Sequence, residues 1–170
     1  MARVLRQEGL SADLFELELT ESLLMRDLAA SRAMLEELAD AGVQVSVDDF
    51  GTGYSSLAHL RRFPVDALKI DRAFVNELDE EEGRAIVRTI VGLGHVLDLR
   101  IVAEGVEDER QLAFLRAEGC TSIQGFWLAR PMPARDLEAW FDTWQASPRI
   151  VPLPDGSTVV RRVPSPQPSA

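Results

Sequence analysis

Acidic side chains recur where apolar, strand-like segments of the chain end. The segment "LFELELT" (14–20) carries Glu18 near its end. The segment "GVQVSVDD" (42–49) ends in the adjacent pair Asp48 and Asp49. Like charges packed together repel and raise each other's pKa unless a cation lies between them. Hard oxygen ligands suit Mg²⁺, Mn²⁺ or Ca²⁺, so the pattern predicts divalent-ion chemistry, and adjacent aspartates could address two ions.

The later apolar segments, 66–71, 99–106 and 120–126, continue this pattern. Further polar residues at or just after the segment ends are Glu21, Lys69, Asp71, Glu104, Glu107 and Gln124. Taken alone, an aspartate pair before a turn is most often a helix cap, a strand lysine an ion-pair partner, and such glutamates a solvated turn. Recurrence at successive strand ends favours a shared purpose over these separate interpretations.

The order of elements explains how these residues could meet. Helical patterns alternate with the strand-like segments and cover 27–41, 80–97, 108–118 and 134–146. This alternation predicts an α/β fold of about five parallel strands with outer helices. Since a complete (β/α)₈ barrel takes about 250 residues, we expect a partial TIM-type barrel. The carboxyl ends of its parallel strands would place the polar residues on one rim.

Composition excludes several function classes. The 170 residues carry a formal net charge of −10, which argues against binding polymeric nucleic acid. No apolar run reaches the roughly 18–20 residues of a membrane segment, and no secretory signal is visible. The single cysteine, Cys120, permits no internal disulfide and fits a cytoplasmic location. Residues 147–170 hold six of the nine prolines, so we expect a domain over 1–146 followed by a Pro/Ser-rich, disordered tail.

Five motifs now resemble a known family. They are "ELTES" (18–22), "DDFGTGYSSL" (48–57), "LKIDRAFV" (68–75), "VAEGVE" (102–107) and "QGFWLARPM" (124–132). In this order they resemble the EAL domain family of cyclic-di-GMP phosphodiesterases. The resemblance implies a (β/α)₈-type barrel that uses two Mg²⁺ or Mn²⁺ ions to hydrolyse one phosphodiester of cyclic-di-GMP to linear pGpG, which turns over a bacterial second messenger.

The resemblance also assigns roles to individual residues. Glu18, Asp48 and Asp49 match metal ligands, with Asp48 bridging the ions. Lys69 matches the lysine beside the reacting water, and Glu104 the base or water-holding glutamate. The remaining matches are Gln124, near that network, and Glu21, Asp71 and Glu107 as supporting acids, with Glu21 anchoring the loop that follows the aspartates.

The loop 50–56 has a separate implied role. It comprises Phe50, Gly51, Thr52, Gly53, Tyr54, Ser55 and Ser56. By resemblance it takes part in homodimerisation and in control of the metal site. Its glycines suit a tight fold beside two cations that must still respond to a partner.

The sequence also departs from the family pattern. The Glu-Ala-Leu motif and the Asn-x-Ser strand, each of which gives the family a metal ligand, are absent, so we expect the carboxyl-terminal two-thirds of such a domain. Two hypotheses follow, a phosphodiesterase or a catalytically incomplete binding module, and we expect this chain alone to hydrolyse cyclic-di-GMP poorly. A kinase interpretation of "DFG" fails because no glycine-rich loop, Val-Ala-Ile-Lys strand or His-Arg-Asp loop precedes it.

Overall fold

A parallel sheet runs through the part of the chain that the structure describes, residues 2–51, 57–146, 150–152 and 158–160. The structure is a computed structural model. The strands of the sheet are β1 (Glu16–Thr20), β2 (Gln44–Phe50), β3 (Ala67–Ile70), β4 (Arg100–Ala103) and β5 (Ser122–Ile123). They lie in the order β1-β2-β3-β4-β5, and every neighbouring pair is parallel. This arrangement confirms the predicted α/β architecture, because each parallel pair needs a crossover connection.

Helices occupy the crossovers. Those of the described residues are α1 (Ala2–Gln7), α2 (Glu21–Leu24), α3 (Leu28–Asp40), α4 (Leu57–Leu60), α5 (Arg72–Asn76), α6 (Glu81–Leu97), α7 (Glu109–Ala117) and α8 (Ala134–Ala146). The four helices predicted after residue 20 are present, and each end falls within one residue of its prediction. The short helices α2, α4 and α5 were not predicted, since one turn carries too little periodicity to be read from sequence.

Local side-chain chemistry fixes where the longer helices begin. The Asp27 carboxylate accepts hydrogen bonds from the backbone N–H groups of Ala29 and Ala30 at the start of α3. Asp108 does the same for α7, where Gln111 completes a capping box by accepting from the Asp108 backbone N–H. Such caps satisfy donors that have no partner within the helix. These caps therefore fix where the crossover helices α3 and α7 begin.

The two faces of the sheet differ in chemistry. Strand alternation puts apolar side chains on the helix-covered face, where α3 packs on β2 and α6 packs on β3 and β4. This face carries the buried residues Leu19, Val45, Val47, Leu68, Ile70, Ile101 and Ala103. The opposite, inner face carries Glu18, Ser46 and Arg100 in one row with Ala67, and Lys69 lies two residues beyond Ala67 on β3. Burial of the apolar face holds the strands together and leaves the inner face to position polar groups.

The described chain divides into two units, residues 1–124 and residues 125–170. The sheet and α1–α7 belong to the first unit. The second contains α8, in which the rings of Trp140 and Trp144 stack at a centroid distance of 6.1 Å. It also contains an antiparallel ribbon of β6 (Ile150–Pro152) and β7 (Thr158–Val160).

The predicted disordered tail, 147–170, falls mostly on residues 147–149, 153–157 and 161–170, which lie outside the described residues. The boundary predicted after residue 146 stays a prediction. Within the described ranges, the helices are all too short or too polar to cross a bilayer.

Gly94 tests how closely α6 approaches the sheet. An added Cβ would lie 1.8 Å from Cδ1 and 2.9 Å from Cγ1 of Ile101, whose side chain is fully buried on β4. We expect Gly94→Ala to lower the free energy of unfolding by roughly 1–3 kcal/mol in urea denaturation, because the core has no room to relax.

The matched control is Gly92→Ala in the same helix, where an added Cβ meets no atom within 4 Å. It should raise stability by up to about 1 kcal/mol through helix propensity. An unchanged or increased stability for Gly94→Ala would contradict the close helix–strand packing.

Candidate functional site

The Lys69 ammonium lies at the centre of an acidic cluster on the inner face. Its Nζ is 2.6 Å from Glu18 Oε1, 3.1 Å from Asp48 Oδ1 and 2.6 Å from Glu104 Oε1. Glu18 lies within β1, Asp48 within the last three residues of β2 and Lys69 within β3, and Glu104 directly follows β4. The Lys69 side chain is only 4% exposed. Of the five strands predicted to bring polar residues to one rim, β1 to β4 contribute to this cluster.

The cluster fixes the protonation state of Lys69. Burial alone would lower the pKa of this ammonium, but contacts with the carboxylates of Glu104, Glu18 and Asp48 outweigh that effect and raise its pKa above the ordinary value. A buried lysine without such partners would lose its proton. Lys69 is therefore a fixed cation that donates hydrogen bonds, and it has no capacity to accept a proton near neutral pH.

A distortion of β2 explains how two adjacent aspartates serve one rim. Neighbouring residues of a regular strand point to opposite faces. Here the register between β2 and β3 shifts between Val47 and Phe50, and Asp49 has a left-handed backbone with φ 53°. Such an irregularity redirects the side chains of a strand, and a positive φ in a residue other than glycine indicates local strain. Phe50, 4% exposed, buries the end of the strand beyond the aspartates.

Asp49 lies in an environment that disfavours its charged form. Burial raises the pKa of this carboxyl first, and a hydrogen bond with the Asp71 side chain raises it further. The negative charges of Asp48 and Glu104 add to the effect. Asp71 also caps α5, because its Oδ1 accepts the Ala73 N–H at 2.7 Å. The two aspartates thus crowd together in a way that a divalent cation would relieve.

A hydrogen bond connects the start of the loop after the aspartates to α2, the helix that follows β1. Glu21, 3% exposed, accepts a hydrogen bond from the Gly51 N–H at 3.3 Å. Gly51 has φ 96°, and an added Cβ would press on Ile90 and Phe74 at 3.1 Å. The remaining predicted loop residues, Thr52, Gly53, Tyr54, Ser55 and Ser56, lie outside the described residues.

Two other predicted site residues, Gln124 and Glu107, make local contacts near the β4–α7 connection. Gln124 follows β5 and is exposed, and its backbone pairs with Ala103 and Val106. Glu107 is exposed, and its N–H donates to the Gln111 side chain before α7. These backbone contacts fix both residues beside the β4–α7 connection, and their part in the site stays a prediction.

The carboxylates of the cluster are the ligand type that a hard cation prefers, but the Lys69 ammonium lies between them. Asp48 Oδ1 is buried and accepts no hydrogen bond, and its contact with the Lys69 ammonium is an ion pair at 3.1 Å. A buried carboxylate oxygen that accepts no hydrogen bond has capacity for a further donor or an ion beside its Lys69 contact. Among the described residues, however, no three acidic, histidine or cysteine side chains are grouped to hold an ion as they stand. The Lys69 ammonium instead lies between the carboxylates.

A second polar group on the same face was missed at the sequence level. Arg100, at the start of β4, donates from Nη2 to Glu16 Oε2 at 2.9 Å and to Gln44 Oε1 at 3.1 Å. The signal for it was present, because Glu16 precedes Glu18 by two residues and therefore shares its face. We call Arg100, Glu16 and Gln44 the lower cluster.

Comparison with known proteins agrees with the motifs. A family model described as "EAL domain" matches residues 1–131. A protein of Pseudomonas aeruginosa, the bifunctional diguanylate cyclase/cyclic di-GMP phosphodiesterase MucR, is 58% identical over 124 residues, which are 72% of this chain and 18% of MucR. The chain thus spans about a fifth of the length of that curated relative.

Solved structures show the same partial match. The PaMucR phosphodiesterase in complex with c-di-GMP gives a TM-score of 0.77 at 54% identity, over 79% of this chain and 55% of that one. Klebsiella pneumoniae BlrP1, solved as a manganese/cy-diGMP complex at pH 9.0, gives a TM-score of 0.71 at 34% identity over 76% of this chain and 33% of that chain. It is also solved as a calcium complex. The five parallel strands therefore correspond to part of a (β/α)₈-type barrel.

Lys69 offers a direct test of the cluster, because it is the single lysine of the sequence. Its folded pKa lies above the unfolded value of about 10.4, so its stabilising contribution is complete below that pH and is lost as the pH rises through the folded pKa. We expect NMR of ¹⁵N-lysine-labelled protein to show no Lys69 titration below about pH 10. An inflection between about pH 6 and 9 would contradict the fixed-cation assignment and indicate a general base.

Proposed function

The chain belongs to the EAL domain family, and from that premise we propose that its inner-face residues form part of a cyclic-di-GMP phosphodiesterase centre. The proposed reaction hydrolyses one phosphodiester bond and yields linear pGpG. The observation that supports it most strongly is the convergence of Glu18, Asp48 and Glu104 on the buried Lys69. The relatives described above carry this activity or this ligand in their names.

We further propose that Glu18, Asp48 and Asp49 bind the divalent metal of the site, which is Mg²⁺ or Mn²⁺. Two observations support this assignment: Asp48 Oδ1 is buried and accepts no hydrogen bond, and the pKa of Asp49 is raised. Cation binding there would oppose the shift that raises the Asp49 pKa, because carboxylate ligands bind in the ionised form. When bound, such an ion supplies Lewis-acid activation of water and neutralises phosphate charge.

Lys69 and Glu104 then have distinct tasks. Lys69 holds its proton and so positions Glu104 and Glu18 through short contacts, while stabilising negative charge on the phosphate. Glu104 is one-fifth exposed and can accept a proton from an attacking water or hold that water in place. Gln124, on the neighbouring strand end, is proposed to contact the same water network. Asp71 and Glu107 support the site through the helix starts that they precede.

The loop 50–56 is proposed to couple this centre to a second copy of the chain. The contact of Glu21 with Gly51 supports a link between the loop and the first strands. We also propose a cytoplasmic location, since the single cysteine, Cys120, needs no oxidising compartment.

Hydrolysis assays test the proposal. The chain should turn over cyclic-di-GMP slowly, and only with Mg²⁺ or Mn²⁺ present. Glu104→Gln keeps the shape of the side chain but removes its basic oxygen, so we expect a rate lower by about 10²-fold or more. Asp48→Asn should abolish Mn²⁺-dependent binding of cyclic-di-GMP in calorimetry.

Arg88→Met is the control, because Arg88 pairs with Glu81 and Glu118 on the helix layer, away from the inner face. It should leave both measurements unchanged. Turnover that survives chelation, equal effects of Glu104→Gln and Arg88→Met, or a chain that neither binds nor hydrolyses cyclic-di-GMP with Mn²⁺ would each contradict the proposal.

A further inference from the structure

The lower cluster joins strands that are not neighbours. Arg100 lies on β4 and Glu16 lies on β1, and both β2 and β3 stand between them in the sheet. Even so, Arg100 Nη2 is 2.9 Å from Glu16 Oε2. Strands in a flat sheet lie about 4.8 Å apart, so β1 and β4 would be separated by about 14 Å. Arg100 bridges them only because the side chain is long and the inner face is concave.

Small side chains leave room for this bridge. In the register of the sheet, Arg100 pairs with Ala67 on β3, and Ala67 pairs with Ser46 on β2. Both are fully buried. Ser46 pairs in turn with Glu18 on β1. The guanidinium therefore crosses above two small residues and reaches the strand that carries Glu18.

The bridge joins β1 and β4, and the acids of these two segments, Glu18 and Glu104, both contact Lys69. Glu16 and Glu18 share the inner face of β1, and Glu104 follows the strand that Arg100 begins. Among the described strands β1 pairs only with β2, so one edge of it is unsupported in the part of the chain that the structure covers. Glu18 itself is half exposed.

We propose that Arg100 is a positioning residue that acts as a cross-sheet brace. By holding Glu16 and Gln44 it sets the curvature between β1 and β4 and thereby holds Glu18 within contact of Lys69. Arg100 and Glu16 are 41% and 32% exposed, so their ion pair adds little to overall stability, and its effect is on the position of β1. The part of this proposal that concerns ion binding rests on the proposed function above.

The test uses the single lysine of the chain as a reporter that needs no ion. The Lys69 side-chain Nζ signal of the ¹⁵N-lysine-labelled 170-residue chain is recorded for Glu18→Gln, Arg100→Met, Glu16→Gln and the double variant Glu18→Gln/Arg100→Met. We expect Arg100→Met and Glu16→Gln to move the signal toward its position in Glu18→Gln. In the Glu18→Gln background, Arg100→Met should add little, because its effect passes through Glu18.

Arg88→Met is the matched control. Arg88 is 45% exposed and also contacts two acceptors, Glu81 and Glu118, but it bridges helices and a loop rather than strands. It should leave the Lys69 signal in place, while both arginine variants shift the thermal midpoint by no more than about 4 °C. An unmoved Lys69 signal in Arg100→Met and Glu16→Gln, or an undiminished Arg100→Met effect in the Glu18→Gln background, would overturn the brace.

Mn²⁺ titration tests whether the Arg100 brace serves ion binding, the part of the proposal that rests on the proposed function. Arg100→Met should weaken Mn²⁺ binding about tenfold, as loss of a group that orients a ligand does. A wild-type chain that shows no Mn²⁺ response would contradict the proposed function, and the Lys69 signal would still decide the brace. Wild-type binding that Arg100→Met leaves unchanged would overturn the claim that the brace serves the ion site.

Discussion

The burial of one ammonium group constrains the whole inner face of this sheet. A lysine with 4% of its side chain exposed is stable as a cation only if carboxylates surround it, and Lys69 meets three of them. Each comes from a different strand end, so the charge balance is satisfied only when β1, β2 and the end of β4 all lie around β3. The apolar face and its helices provide the stability, whereas the ammonium specifies how the strand ends must be arranged around it.

The same constraint explains the irregular end of β2. A straight strand would send Asp48 and Asp49 to opposite faces, and the left-handed backbone at Asp49 is the local strain that accompanies the shift in register. That strain is maintained by the burial of Phe50 and by the hydrogen bond between Glu21 and Gly51. Burial, the hydrogen bond with Asp71 and the charges of Asp48 and Glu104 all raise the pKa of Asp49, so these acids crowd one another at the rim. This crowding of acids at the rim is the observation on which the proposed ion site rests.

Much of this arrangement could be predicted from the residues themselves. Alternating apolar runs predicted the strands, and parallel order predicted that Glu18, Asp48, Lys69 and Glu104 would meet. The register shift between Val47 and Phe50 of β2 could not be predicted, because hydrophobic periodicity gives no sign of one extra residue in a strand. The contact between Arg100 and Glu16 was not predicted either, because a charged residue at the start of a strand is usually solvated. Only the curvature of the folded sheet brings these two residues together. The polar residue types of the rim are visible in the residue pattern, whereas the supporting contacts depend on the three-dimensional fold.

Anomalous diffraction from crystals of the chain grown with Mn²⁺ would test the central claim, that the carboxylates around Lys69 form a divalent-ion site. The account predicts a manganese peak within about 2.0–2.6 Å of Asp48 Oδ1, the buried acceptor that receives no hydrogen bond. Asp49 should lie beside the peak in its ionised form, with its contact to Asp71 broken. A map with no manganese at this rim, and with the three Lys69 contacts unchanged, would contradict the account and leave the cluster as a structural ion network.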